Sequence, residues 1–171
     1  MYNSSKLINI LTEGKYKIQV HEHDALFTVE DSKKLRGKIS GAHSKNLFLK
    51  NKKSDFFLLS CEETDKINLK KISKSLGFGN TSFAKEEYLY QCLKIKPGSV
   101  SPFALINDLE NKVNFYLENK LYESKLLNFH PLINTLTVTI ETDKFIEFMI
   151  ENNKKIHIFS SLEGKVLKTY G

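Results

Sequence analysis

The sequence predicts a single α/β domain, more narrowly α+β, with a mixed, mainly antiparallel β-sheet covered by helices. Three observations predict it. Apolar periodicity runs helix, helix, strands, helices, strands, helix along the chain, an order that layers helices on a sheet. A chain of 171 residues suits one domain with one sizeable core. No repeat, low-complexity tract or Pro/Gly-rich linker divides it. The expected domain covers residues 1–155. Residues 156–171 read as a C-terminal tail whose short apolar run, Ile156–Phe159, adds an edge strand or hangs free.

Each element has a local reason. Leu7, Ile8 and Leu11 share a helical face within 4–12. Thr28 and Asp31 have capping-box spacing, which predicts a short helix ending near Leu35. Gly37 and Gly41 then punctuate a loop. Asn46–Lys50 and Phe56–Cys61 are β-rich, and the Asn-Lys-Lys-Ser-Asp stretch between them reads as a hairpin turn. Asn68 caps a helix with Leu69, Ile72 and Leu76 on one face. Ser82 is the expected cap of the next helix, with Glu86 and Glu87 near its positive end and Tyr88/Cys92 and Leu89/Leu93 paired one turn apart. Lys96-Pro97-Gly98 stops it. Val113, Phe115 and Leu117, and later Leu136, Val138 and Ile140, alternate as strands do. Asp143 is the expected cap of a last helix with Phe145, Phe148 and Met149 facing inward.

Composition sets bounds on function. Hydrophobic residues are 40% and charged residues 27% of the chain, an ordinary globular composition. No apolar run approaches the roughly 20 residues of a membrane-spanning helix, and the N-terminus lacks a signal peptide's apolar stretch, so a cytoplasmic location is expected. Cys61 and Cys92 sit in apolar stretches and read as core residues. The net charge of +6 is uneven. Residues 33–74 hold 12 basic and 4 acidic residues, a local net of +8. Such a block suits a polyanion, because neutralised phosphates release counterions. The alternative is a lysine-rich compositional bias, since Arg36 is the only arginine.

The sequence contains no phosphate-loop, dinucleotide or HExxH signature. His21 and His23 alternate as on a strand, but no cysteine or third histidine is near in sequence, so no metal and no cofactor is expected. Three segments stand out. In Gly41–Leu49, Lys45 and Asn46 sit at the mouth of an apolar strand, either as polar ligands on a rigid base or as a solvated strand start. In Pro97–Phe103, glycine and proline bracket a short loop that either presents backbone N–H groups to an anion or is a plain turn. In Asn128–Asn134, His130 precedes a proline, which keeps its backbone extended. It either projects toward a ligand or serves as a structural hydrogen-bonding residue.

Together and in order, five stretches resemble a known family: HEHDALFTVEDS at 21–32, LRG at 35–37, HSKNLFLK at 43–50, PGSVSPFALIND at 97–108 and NFHPLINTLT at 128–137. The chain resembles the freestanding prolyl-tRNA editing proteins of the YbaK/aminoacyl-tRNA-synthetase-associated domain superfamily over roughly residues 5–152, most of all their alanyl-tRNA(Pro) deacylase branch. The resemblance implies metal-independent ester hydrolysis at the acceptor end of tRNA(Pro), with prolyl-tRNA synthetase as an accompanying partner. It implies that Lys45 is the key polar group, aided by backbone stabilisation from Gly98, Ser99, Val100 and Ser101. Asn46, Pro102, Phe103 and His130 then bind substrate, and Val100, Phe103 and residues near Leu47 wall a pocket that admits alanine. Two alternatives stay open: a deacylase for cysteinyl or seryl esters, and a non-catalytic tRNA-binding accessory.

Overall fold

A computed structural model describes residues 1–34 and 38–171. The LRG stretch, the expected helix end at Leu35, Arg36 and the Gly37 turn lie outside the described residues. Helix α1 (Ser4–Glu13) is capped by Asn3, whose side chain accepts from the Lys6 N–H, and buries Leu7 and Leu11. After β1 (Gln19–Glu22), helix α2 (Val29–Lys33) opens on a reciprocal capping box. The Asp31 N–H donates to Thr28 Oγ1, and the Thr28 N–H to Asp31 Oδ2. Strands β2 (Ala42–Asn51) and β3 (Phe56–Glu62) form the expected hairpin, and both are longer than their apolar runs. Asn68 caps α3 (Leu69–Ser75) as its spacing predicts.

Further along, several expectations are corrected. Ser82 does not cap a helix: it lies in β4 (Thr81–Phe83), and α4 (Glu86–Leu93) begins after Lys85. A 3₁₀ helix, Pro102–Asn107, follows the Pro97–Ser101 loop. Strand β5 (Val113–Glu118) leads into α5 (Asn119–Glu123) and β6 (Leu126–Phe129), neither of which has a clear period of its own in the sequence. After β7 (Leu136–Glu141), helix α6 (Thr142–Glu151) is capped at Glu141, so Asp143 sits in its first turn instead. The expected tail supplies β8 (Ile156–Ser160) and β9 (Lys165–Tyr170). Its apolar run is an interior strand, because Ile156, Ile158 and Phe159 are buried and β9 covers the edge beyond it.

Among the described residues one sheet runs β1-β7-β6-β2-β3-β5-β8-β9, with β4 attached to β2. The pairs β2/β6, β3/β5 and β5/β8 are parallel and the other five antiparallel. The main core lies on one face, where Phe103 meets Phe129, Phe145 and Phe148 edge-on at 5.7–5.8 Å. A smaller core on the other face packs Leu49, Phe57, Leu59 and Phe159 against Ile72 of α3 and against Phe78.

The feature that positions a site is the split along β2. Strand β3 takes one edge of β2 from Ser44 to Lys50. On its other edge, among the described residues, β6 pairs only with Ala42 and His43, and β4 only with Leu49 to Asn51. Between those pairings the sheet opens.

Candidate active site

A cavity of about 280 Å³ occupies this split. Its walls are His43 to Asn46 of β2, Glu63 just past β3, Gly98 and Val100 of the Pro97–Ser101 loop, Asn128 and Phe129 of β6, His130, Thr137 of β7, and Leu26 to Thr28 before α2. The segments carrying Lys45, Gly98 and His130 lie far apart in sequence and meet here.

Alternation along β2 sends neighbouring side chains to opposite faces. Asn46 shares a face with Ser44 and Ser60: its Oδ1 accepts from Ser60 Oγ at 2.5 Å and its Nδ2 donates to Ser44 Oγ at 3.3 Å. Ser44 Oγ in turn donates to the Asn128 carbonyl at 3.1 Å, tying β2 to β6 at the cavity floor. Lys45 turns the other way, and its ammonium donates to the Asp65 carbonyl. The Asp65 carboxylate is itself held by Lys120 at 2.7 Å. The ammonium is therefore held on the segment before α3, which is pinned in turn from α5.

Gly98 has φ of +85°, a left-handed conformation that glycine adopts without strain. A Cβ there would stand 3.2 Å from both Asn134 Nδ2 and the Phe27 ring. The loop can thus approach the Leu26–Thr28 segment closely. The Ser99 N–H donates to the Lys96 carbonyl at 3.2 Å. Among the described residues, the N–H groups of Gly98, Val100 and Ser101 have no protein acceptor. Ser101 Oγ caps the 3₁₀ helix by accepting from the Phe103 N–H.

His130 is half-buried, and its Nδ1 lies 2.8 Å from the Leu136 carbonyl. A carbonyl only accepts, so Nδ1 carries the proton and Nε2 of the neutral ring is an acceptor. Burial holds the ring's pKa below the ordinary histidine value, and nearby His23, its ring centroid 6.0 Å away, acts in the same direction. His23 Nε2 meets Thr137 Oγ1 at 2.8 Å, while Thr139 Oγ1 donates to Asn128 Oδ1 at 2.6 Å. These bonds fix the wall behind His130.

The structure sorts the expected residues. Lys45, Asn46, Gly98, Val100 and His130 line the cavity. Ser99, Ser101, Pro102 and Phe103 do not. They are buried behind the loop, and Phe103 is a fully covered core ring. The expected wall at Phe103 is formed by Phe129 and Phe27, and Leu47 packs toward the smaller core on the other face. Asn128 and Thr137 belong to stretches that matched the family, and alternation alone gave no sign that they face a cavity. Leu26–Thr28 are brought in by long-range bonds between Leu26 and Asn134, which no local pattern announces. Among the described residues no three His, Cys, Asp or Glu side chains converge as metal ligands.

The class of this split mixed sheet, with three distant segments around one cavity, is given by comparison with known proteins. Residues 23–148 match the aminoacyl-tRNA editing domain family, and the chain belongs to it. It is 36% identical over 138 residues to prolyl-tRNA synthetase associated domain-containing protein 1 of Bos taurus, covering 78% of this chain and 80% of that one. It is 32% identical over 131 residues to the prolyl-tRNA editing protein ProX of Acetoanaerobium sticklandii, covering 76% and 80%. A solved structure described as a candidate trans-editing enzyme for prolyl tRNA synthetase shares the fold, with a TM-score of 0.68, 15% identity and coverage of 94% and 97%.

Proposed function

We propose that this protein is a trans-editing deacylase that hydrolyses alanyl-tRNA(Pro). The observation that carries the reading is the convergence of Lys45, the Gly98–Val100 backbone and His130 on one small cavity in an aminoacyl-tRNA editing domain. An aminoacyl ester is already activated, so the enzyme has to hold it, place a water and stabilise the tetrahedral oxyanion. Water oxygen attacks the ester carbonyl carbon. The bond to the terminal ribose oxygen then breaks, that oxygen takes up a proton, and alanine and free tRNA leave.

Each side chain has a role in this scheme. The backbone N–H groups of Gly98 and Val100 are the oxyanion donors, fixed dipoles that need no reorganisation. Lys45, a compact cation on a flexible stem, holds the terminal phosphate or the aminoacyl carbonyl. His130 Nε2 accepts a hydrogen bond from the terminal ribose hydroxyl or the α-ammonium of the amino acid. A free ribose hydroxyl helps to place the water. Ser101, Pro102 and Phe103 support the loop from behind. The tRNA(Pro) acceptor end is the partner, with prolyl-tRNA synthetase as the source of the error. A synthetase's proline pocket discriminates against alanine by only about 1–3 kcal/mol per missing methylene. A second, smaller sieve walled by Val100, Phe27 and Phe129 admits alanine and shuts out proline.

The test is a panel of tRNA(Pro) esters of alanine, proline, cysteine and serine. The alanyl ester is expected to be cleaved fastest, with prolyl-tRNA(Pro) spared by a factor on the order of 100. Faster cleavage of the cysteinyl or seryl ester moves the substrate within the same chemistry. Binding without cleavage of any ester leaves the protein as a tRNA-binding accessory and contradicts the reading.

A further inference from the structure

The editing cavity does not absorb a concentration of positive charge in and just before α3. Lys66, Lys70, Lys71 and Lys74 are all exposed along α3 and the turn before it. Among the described residues none has a carboxylate within ion-pair distance. The acidic groups nearby are engaged elsewhere: Asp65 with Lys120, Glu163 with Lys165, and Glu118 with Ser161 and the Lys120 N–H. Lys70 and Lys74 are one turn apart, a like-charge spacing that weakens a helix. Lys70 and Lys71 also stand in the first turn, where the peptide dipole disfavours cations. The local arrangement works against helix stability, so stability does not explain it.

The ridge has a direction. It starts next to Asp65, whose carbonyl holds the ammonium of the cavity-lining Lys45. It ends where Asn51 Nδ2 donates to the Phe78 carbonyl, so the end of α3 lies against the end of β2. There the exposed Lys52 and Lys53 of the hairpin turn share a shallow groove with Gly77–Asn80. From Lys45 to Asn51 is six residues of strand, a span of about 20 Å. Nucleic-acid duplexes carry a charge about every 1.7 Å of axis, so a lysine track of about 20 Å faces several phosphates.

We infer that the α3 ridge is the docking surface for the phosphate backbone of a base-paired RNA stem whose single-stranded end enters the cavity. This inference rests on the proposed editing reading for the identity of that stem, the acceptor arm of tRNA. Four exposed lysines, three on α3 and one before it, touch phosphates and carry little sequence information, so the ridge supplies affinity and orientation while the cavity reads the amino acid.

The probe is uncharged tRNA(Pro), with binding measured between about 50 and 200 mM salt. Combined Lys66→Gln, Lys70→Gln, Lys71→Gln and Lys74→Gln substitutions are expected to weaken binding at low salt. They are expected to reduce the slope of log affinity against log salt by about 3 to 4, at about 0.9 for each phosphate left without its lysine. Circular dichroism checks the fold. If the fourfold variant does not fold, the pairs 66/70 and 71/74 are each expected to take about half of that effect. Lys6→Gln with Lys94→Gln removes two exposed cations from α1 and the end of α4, helices that pack on the main core and not on the smaller core beneath α3, and serves as the comparison. An unchanged slope in the ridge variants, an equal loss in the Lys6/Lys94 pair, or no salt-dependent binding by the unaltered protein each overturns the inference. Ester hydrolysis by the unaltered protein is scored separately. Cleavage with an unchanged ridge slope sinks the ridge and spares the editing reading, and a lost ridge slope without cleavage does the reverse.

Discussion

At the scale of single residues, Gly98 and His130 carry opposite kinds of constraint. Gly98→Ala puts a side chain into left-handed backbone and against Asn134 and Phe27. A loss of about 1–2 kcal/mol is expected, measurable by urea denaturation, together with slower ester hydrolysis. His130 and His157 are both held below the ordinary histidine value, chiefly by burial. The sign follows from linkage. The folded state resists protonating them and the unfolded chain does not, so their contribution to stability is full above about pH 6.5. It is lost as pH falls toward the depressed folded values. Denaturation midpoints are therefore expected to drop between about pH 7.5 and 5, and His130→Asn is expected to flatten that drop. A midpoint that rises on acidification would contradict it. Burial likewise pushes the Cys61 thiol up to about 12, so Cys61 is expected to stay unlabelled by a thiol reagent until the protein unfolds. Most of this scale was visible in the sequence as the order of HSKN, PGSVSP and NFHP. What was not visible was direction. Glycine and proline in Pro97–Phe103 marked a loop, but not that its second half turns inward to the core and leaves only Gly98 and Val100 on the cavity.

At the scale of elements, local signals were legible where side chains bond their own helix. Asn3, Asn68 and the Thr28/Asp31 pair cap as their spacing predicts. Ser82 and Asp143 failed as caps because a strand partner and an earlier helix start claimed those positions. Removing the acceptor for the Lys71 N–H with Asn68→Ala is expected to cost about 1 kcal/mol and lower Tm by about 2–4 °C. A scanning calorimetry trace unchanged within a degree would show that α3 stands on packing alone. Strand β6 leaves no clear period in the sequence because Leu126–Phe129 is only four residues long, yet it supplies Asn128 and leads directly to His130. Short strands paired over a distance carry too little period to read.

At the scale of the molecule, the mixed sheet under helices was legible from the order of periods, while strand order was not. The split between β6 and β4 along β2 arises from pairing at long range, and the cavity lies in it. The last sixteen residues show the same limit. Ile156, Ile158 and Phe159 are buried in a strand between β5 and β9, each worth about 1.5–3 kcal/mol. Their sum is a large share of a domain's stability of about 5–15 kcal/mol. A chain ended at residue 155 is accordingly expected to lose cooperative unfolding, and a sharp native-like transition would refute the integration of β8 and β9. Joint action of the cavity and the Lys45 cation on a small ester is tested most directly by single-turnover hydrolysis of alanyl-tRNA(Pro). The unaltered protein and a folded Lys45→Ala variant are compared. Rapid release of alanine is expected from the first and a loss on the order of 100-fold or more in the second, and equal rates in the two would contradict a joint role.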